Sequence, residues 1–138
     1  MRRHIATTAG LLATAVTLSV SMTGTAHAAE YTGDASCKTT GAHGEMTYSN
    51  YHGPDANVKI HFALDDVQAD GYGVRLRLVS TDVWGKTHYW PWRTNTQGYG
   101  TRSTWDTTAS HPNGLFNIGV QVARANSAGT IVNSCIGW

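Results

Sequence analysis

The chain lacks the signatures by which many enzymes announce themselves. It contains no GxSxG, HExxH or SxxK pattern, spacings that present a nucleophile or hold a metal. Its two cysteines, Cys37 and Cys135, stand 98 positions apart, which suits neither a CxxC redox motif nor a zinc cluster. An excess of charge of one sign is also missing: ten Lys and Arg face nine Asp and Glu. Beyond residue 28 the basic residues are scattered singly or, at Arg75 and Arg77, as a strand-alternating pair, so neither nucleic acid nor an anionic membrane is an expected partner. After residue 28 helical periodicity is absent as well, and apolar residues recur at every second position.

What is present begins with a leader. Arg2 and Arg3 precede an apolar stretch from Ile5 to Val20 that ends in the small-residue site Ala26-His27-Ala28. This reads as a secretory signal peptide over residues 1–28, too short and diluted for a membrane span of about 20 apolar residues. The remaining 110 residues, 29–138, fit one compact domain. The expected location is extracellular, where two cysteines are expected to form one disulfide, Cys37 to Cys135. A bridge closing so long a loop restricts the unfolded chain by roughly 4–5 kcal/mol in the entropy model.

The alternation predicts about seven strands: EMTYSN (45–50), NVKIHFAL (57–64), GVRLRLVSTD (73–82), THYWPWRT (87–94), TRSTWDTT (101–108), LFNIGVQVAR (115–124) and TIVNSCIGW (130–138). Val58, Ile60, Phe62 and Leu64 share one inward face, as do Val74, Leu76 and Leu78, and the Asp70-Gly71 turn between them predicts a hairpin. Phe116, Ile118, Val120 and Val122 form another inward face, and AEYTGDAS (29–36) reads as a loose amino-terminal arm. The fold class is all-β, a small antiparallel β-sandwich, with a small barrel as the alternative.

Groups with chemical potential are few. His43, His52, His61, His88 and His111 lie more than four residues apart, so a metal site would have to be assembled by the fold, and surface or turn positions explain them without one. Asp65, Asp66 and Asp70 cluster in one turn without the regular spacing of a calcium loop. Asp82 and Asp106 flank the aromatic segment as a nominal carboxylate pair. No catalytic residue, metal site or cofactor is expected. Arg75 and Arg77 are read as a solvated outer strand face.

The segment THYWPWRT stands out. On a regular strand His88, Trp90 and Trp92 lie on one side, and Thr87, Tyr89, Pro91 and Arg93 on the other. Proline in the run argues for an edge strand or a bulge. Two readings stay open: Trp90 and Trp92 fill the core while Tyr89 and Pro91 protect the edge, or the segment presents an aromatic binding platform, extended by Trp84, Tyr99 and Trp138. Tyr89, Trp90, Trp92 and Arg93 are the candidate partner-binding residues.

The combination of ADGYGVRLRL, YWPWRTN, FNIGVQVAR and a late NSC resembles a group of small exported actinobacterial proteins with one disulfide. It is also similar to the small adaptor subunits of the secreted umbrella-shaped toxin particles of these bacteria. That similarity implies a role joining a lectin-bearing subunit to a large toxin subunit. The expected function is therefore a secreted, non-catalytic protein-binding module with an extracellular protein partner. Two alternatives remain: a carbohydrate-binding module stacking glycans on exposed rings, and a protease or hydrolase inhibitor presenting the loop NTQGYGTR (95–102).

Overall fold

The computed structural model describes residues 30–138, so the leader expected over residues 1–28 lies outside the described residues. The described chain forms nine strands: β1 (Tyr31–Thr39), β2 (Ala42–Tyr51), β3 (Val58–Asp66), β4 (Gly73–Thr81), β5 (Thr87–Tyr89), β6 (Arg93–Asn95), β7 (Arg102–Ala109), β8 (Asn117–Ala125) and β9 (Ile131–Gly137). A first sheet has the order β1-β2-β3-β7. The second has the order β5-β4-β8-β9, with β6 also on β4. All pairings are antiparallel, and the fold is a small β-sandwich.

The core lies between the two sheets and follows the alternation. Val58, Ile60, Phe62 and Leu64 of β3 pack with Val74, Leu76 and Leu78 of β4 and Val120 and Val122 of β8, and Met46 and Leu115 belong to the same core. Each large side chain sealed there contributes about 1.5–3 kcal/mol.

Four expectations need correction. Residues 31–39 are not an arm but β1, paired with β2 along its length. The alternation there is faint because only Ala35 and Cys37 turn inward. Gly33 leaves the space that the Tyr48 ring fills, since a Cβ there would stand 2.4 Å from it. Second, β3 and β4 do not form a hairpin; the 67–72 turn carries the chain from one sheet to the other. Each strand carries a face that is apolar but for its final residue, Asp66 in β3 and Ser80 in β4, and stacking the faces buries both at once. Third, Phe116 is 45% exposed and Leu115 takes the buried place, because β8 starts only at Asn117 and Leu115 N–H donates to the Pro54 carbonyl at 2.8 Å. Fourth, THYWPWRT is two strands, not one.

Cys37 and Cys135 are joined, with Cα atoms 6.0 Å apart. They tie β1 to β9, the edge strands that end the two sheets on one side of the sandwich. The opposite side, between β7 and the β5–β6 segment, has no such tie among the described residues.

Candidate functional site

The register around Pro91 determines which rings reach solvent. Tyr89 lies opposite Val79, and Trp90 N–H donates to the Leu78 carbonyl at 3.1 Å. Arg93 lies opposite Leu76. Three steps along β4 therefore match four along the edge, and Pro91 and Trp92 together oppose Arg77. This is a one-residue bulge, which re-aims the side chains beyond it.

Its consequence corrects the expected parity. Trp92 joins Tyr89 on the outer face of the second sheet, over Arg77, while Arg93 turns to the inner side with Leu76. Trp90 also turns inward, packs on the core and donates its indole N–H to the Ser80 hydroxyl at 3.0 Å. The four nominated residues thus divide into two surfaces. Tyr89 and Trp92 stand on the outer face, and Trp90 and Arg93 line the open flank between the sheets.

On the outer face the guanidinium of Arg77 lies 4.3 Å from the centre of the Tyr89 ring and 4.2 Å from that of Trp92. Arg75 lies 5.8 Å from the Trp92 ring. These two arginines are not a freely solvated face, as their alternation suggested. Burial pulls the Arg77 guanidinium below the usual arginine value, opposed by the nearby Tyr89. Its Nε donates to Gln121 Oε1 at 2.7 Å, and the buried Nε of Arg75 has no hydrogen-bond partner. Among the described residues no carboxylate lies within ion-pair distance of either. Arg102 and Arg124, by contrast, are each paired with acids.

Tyr89 is 53% exposed. Trp138, 56% exposed, lies over Gly119, where an added Cβ would stand 2.8 Å from its ring. Gly119 pairs with Val79, the residue opposite Tyr89, so Trp138 extends the same face. Trp84 and Tyr99 are more exposed still, but Trp84 sits in the turn after β4 and Tyr99 beside the turn before it, at opposite ends of the sheet.

The remaining chemical candidates separate in space. Asp65 pairs with Arg102, Asp70 pairs with Arg124, and Asp66 is buried, so the three acids do not converge. Asp106 stands on the outer face of the first sheet with its Oδ1 2.8 Å from His61 Nδ1, whereas Asp82 lies in the turn after β4. The first sheet carries a broad open hollow whose lining includes Tyr48, Lys59, Ile60, His61 and Asp106. There His61 is a potential base, but no serine or threonine hydroxyl among the described residues is hydrogen-bonded to it.

The fold also makes a cluster that the residue spacing conceals. The rings of His88 and His111 pack together, tilted by 38° with centroids 4.1 Å apart. His88 Nε2 donates to the buried Asp82 Oδ2 at 2.8 Å, and Asp82 Oδ1 accepts from the Trp84 and Lys86 amides. The hydrogen bond from His88, aided by those amides, holds the Asp82 carboxyl below its usual range against the desolvation that opposes it. Asn113 N–H donates to His111 Nδ1 at 3.2 Å. In the sequence HPNG (111–114) favours a turn but does not name what that turn touches. Among the described residues no group of His, Cys, Asp and Glu is arranged to hold a metal. Set against known proteins, the chain matches no family model, no curated protein and no solved structure.

Proposed function

We propose that the chain is an exported, non-catalytic module that binds an extracellular protein through the outer face of its second sheet, with Tyr89 and Trp92 as anchors. The observation that carries this reading is Arg77, held between two aromatic rings, half-sheltered from water and without a carboxylate. A cation so placed keeps its unmet charge at the surface, where an acidic group of a partner can meet it. Tyr, Trp and Arg are the residue types that dominate binding hot spots, because rigid rings give large contact area at little entropic cost. A role as an adaptor between subunits of an extracellular assembly accords with the resemblance to adaptor subunits.

The test compares wild type with Trp92→Ala and Arg77→Ala, each added tagged to the culture fluid of the producing organism and recovered. The expected result is a stoichiometric complex with the wild type that both variants lose. Recovery of the wild type alone would overturn the proposal. So would a glycan-array signal that depends on Trp92, which assigns the same rings to carbohydrate.

A further inference from the structure

Two sheets have four edges, and three of them here are protected. β1 and β9 are cross-linked through Cys37 and Cys135. They approach so closely that a Cβ on Gly137 would stand 1.9 Å from the Ser36 carbonyl oxygen. The β5–β6 edge is broken by its bulge and by Pro91, two of the devices that keep sheet edges from pairing with other chains. β7 has neither. Its eight residues, RSTWDTTA, pair with β3 in one uninterrupted register and include no proline, glycine or lysine.

The backbone hydrogen bonds show what that edge offers. Asp66 N–H donates to the Thr101 carbonyl and Val67 N–H to the Gly41 carbonyl, both at 3.1 Å. Even-numbered residues of β3 therefore direct their backbone groups to β7, and odd-numbered ones to β2. Through the register, Ser103, Trp105, Thr107 and Ala109 bond to β3. The N–H and C=O groups of Arg102, Thr104, Asp106 and Thr108 point away from it, with no backbone partner among the described residues.

Beside this edge, on the inner side, is a cleft of about 210 Å³ whose walls include Phe62, Leu78, Trp90, Pro91 and Ala109. Arg93 is the one charged residue lining it, and no carboxylate among the described residues is within ion-pair distance of Arg93. On the outer side the one acid of β7 is Asp106, its side chain 86% exposed, whereas Arg102 is already engaged by Glu45 and Asp65 and Lys59 stands one strand behind. A second copy pairing β7 to β7 would bring only Ser103, Trp105, Thr107 and Ala109 to the inner side, none of them a carboxylate to meet Arg93. An occupant that carries a carboxylate at that place fits better.

We propose that β7 is the acceptor edge for an extended segment of a partner protein, which adds to the first sheet as a fifth strand. Its alternate side chains enter the cleft beside Trp90, apolar except for one carboxylate that meets Arg93, and its outward side chains are lysine or threonine. Backbone bonds supply the affinity and the cleft supplies the specificity, as in strand addition generally. The site is separate from the Tyr89–Trp92 face, so Trp92→Ala leaves it intact and the two readings fail independently.

The probe is a blocked nonapeptide, Thr-Val-Lys-Val-Thr-Glu-Lys-Val-Thr, with a second version carrying glutamine for glutamate. Amide exchange is followed by NMR in the folded chain. At a peptide concentration about ten times its Kd, exchange at Thr104, Asp106 and Thr108 is expected to slow about tenfold, with little change at Ser103, Trp105 and Thr107. The glutamine version binds about two- to fivefold more weakly at low salt, and Arg93→Gln abolishes that difference. Thr104→Pro removes an outward N–H without touching the β3 ladder and abolishes the protection; a thermal melt shows whether this variant folds, and Arg93→Gln carries the test if it does not. No change in exchange at millimolar peptide would overturn the proposal. So would equal affinity of the two peptides for the wild type, or concentration-dependent protection of the same amides in peptide-free protein, which would place a second copy on the edge.

Discussion

Arg77 holds its guanidinium 4.2 Å from the centre of the Trp92 ring, on the outer face of the second sheet. The contact exists because the bulge gives Arg77 two partners across the ladder, Pro91 and Trp92, where a regular strand would give it one. It links the stability of the edge to the presentation of the candidate binding surface.

Removing the guanidinium tests that link. Arg77→Ala is expected to lower stability by about 1 kcal/mol in urea and to shift the Trp92 indole resonance while leaving that of Trp90 in place. Arg77→Lys should recover little of the loss, because an ammonium lacks the plane that stacks between two rings. An unchanged unfolding midpoint in both variants would show that the stack contributes nothing.

Deleting Pro91 should restore a regular edge without reversing any face, since Trp92 remains opposite Arg77 and Arg93 opposite Leu76. The expected variant keeps a native-like β spectrum but gains apparent mass with concentration more steeply than wild type, because an unbroken edge is free to pair. Light scattering over a dilution series makes the comparison. Identical behaviour would remove the protective role assigned to the bulge.

The cross-link closes a loop of nearly the whole domain, between the edge strands of opposite sheets. Replacing both cysteines, Cys37→Ser with Cys135→Ser, is expected to cost about 2–5 kcal/mol while leaving a fold that the core still specifies. Denaturant unfolding of the double variant measures it. A loss below about 1 kcal/mol would mean that β1 and β9 hold together without the bond.

Acid stability should depend on Asp82. Its carboxyl titrates below the unfolded value, chiefly through the His88 hydrogen bond, so its contribution is present above the unfolded pKa of about 3.9. It is lost as pH falls from there through the lower folded value. Asp82→Asn is therefore expected to be less stable than wild type at neutral pH and to show a shallower decline between about pH 4 and pH 2. Parallel decline of the two proteins would place the acid sensitivity elsewhere.

Period-two alternation in NVKIHFAL and GVRLRLVS was enough to read the all-β class and most of the buried apolar residues, because inward and outward positions on those strands differ sharply in polarity. β1 escaped because YTGDASCKT turns only a small apolar residue and a cysteine inward. The failed hairpin has a different origin: alternation states that a face is buried, not whether the next strand lies beside it or across the core. His88, His111 and Asp82 met through two turns far apart in sequence, where no local spacing could announce them.

The amino-acid order alone determined that the domain would be built of strands, which apolar residues would share a face, and that Pro91 would interrupt an edge. Tertiary structure decided which rings that interruption exposes, because one extra residue shifts side-chain parity and only the register with β4 reveals where the shift falls. It also decided that β7 would end its sheet unprotected, since an edge is defined by the absence of a neighbour, and neighbours are chosen by the packing of the whole chain.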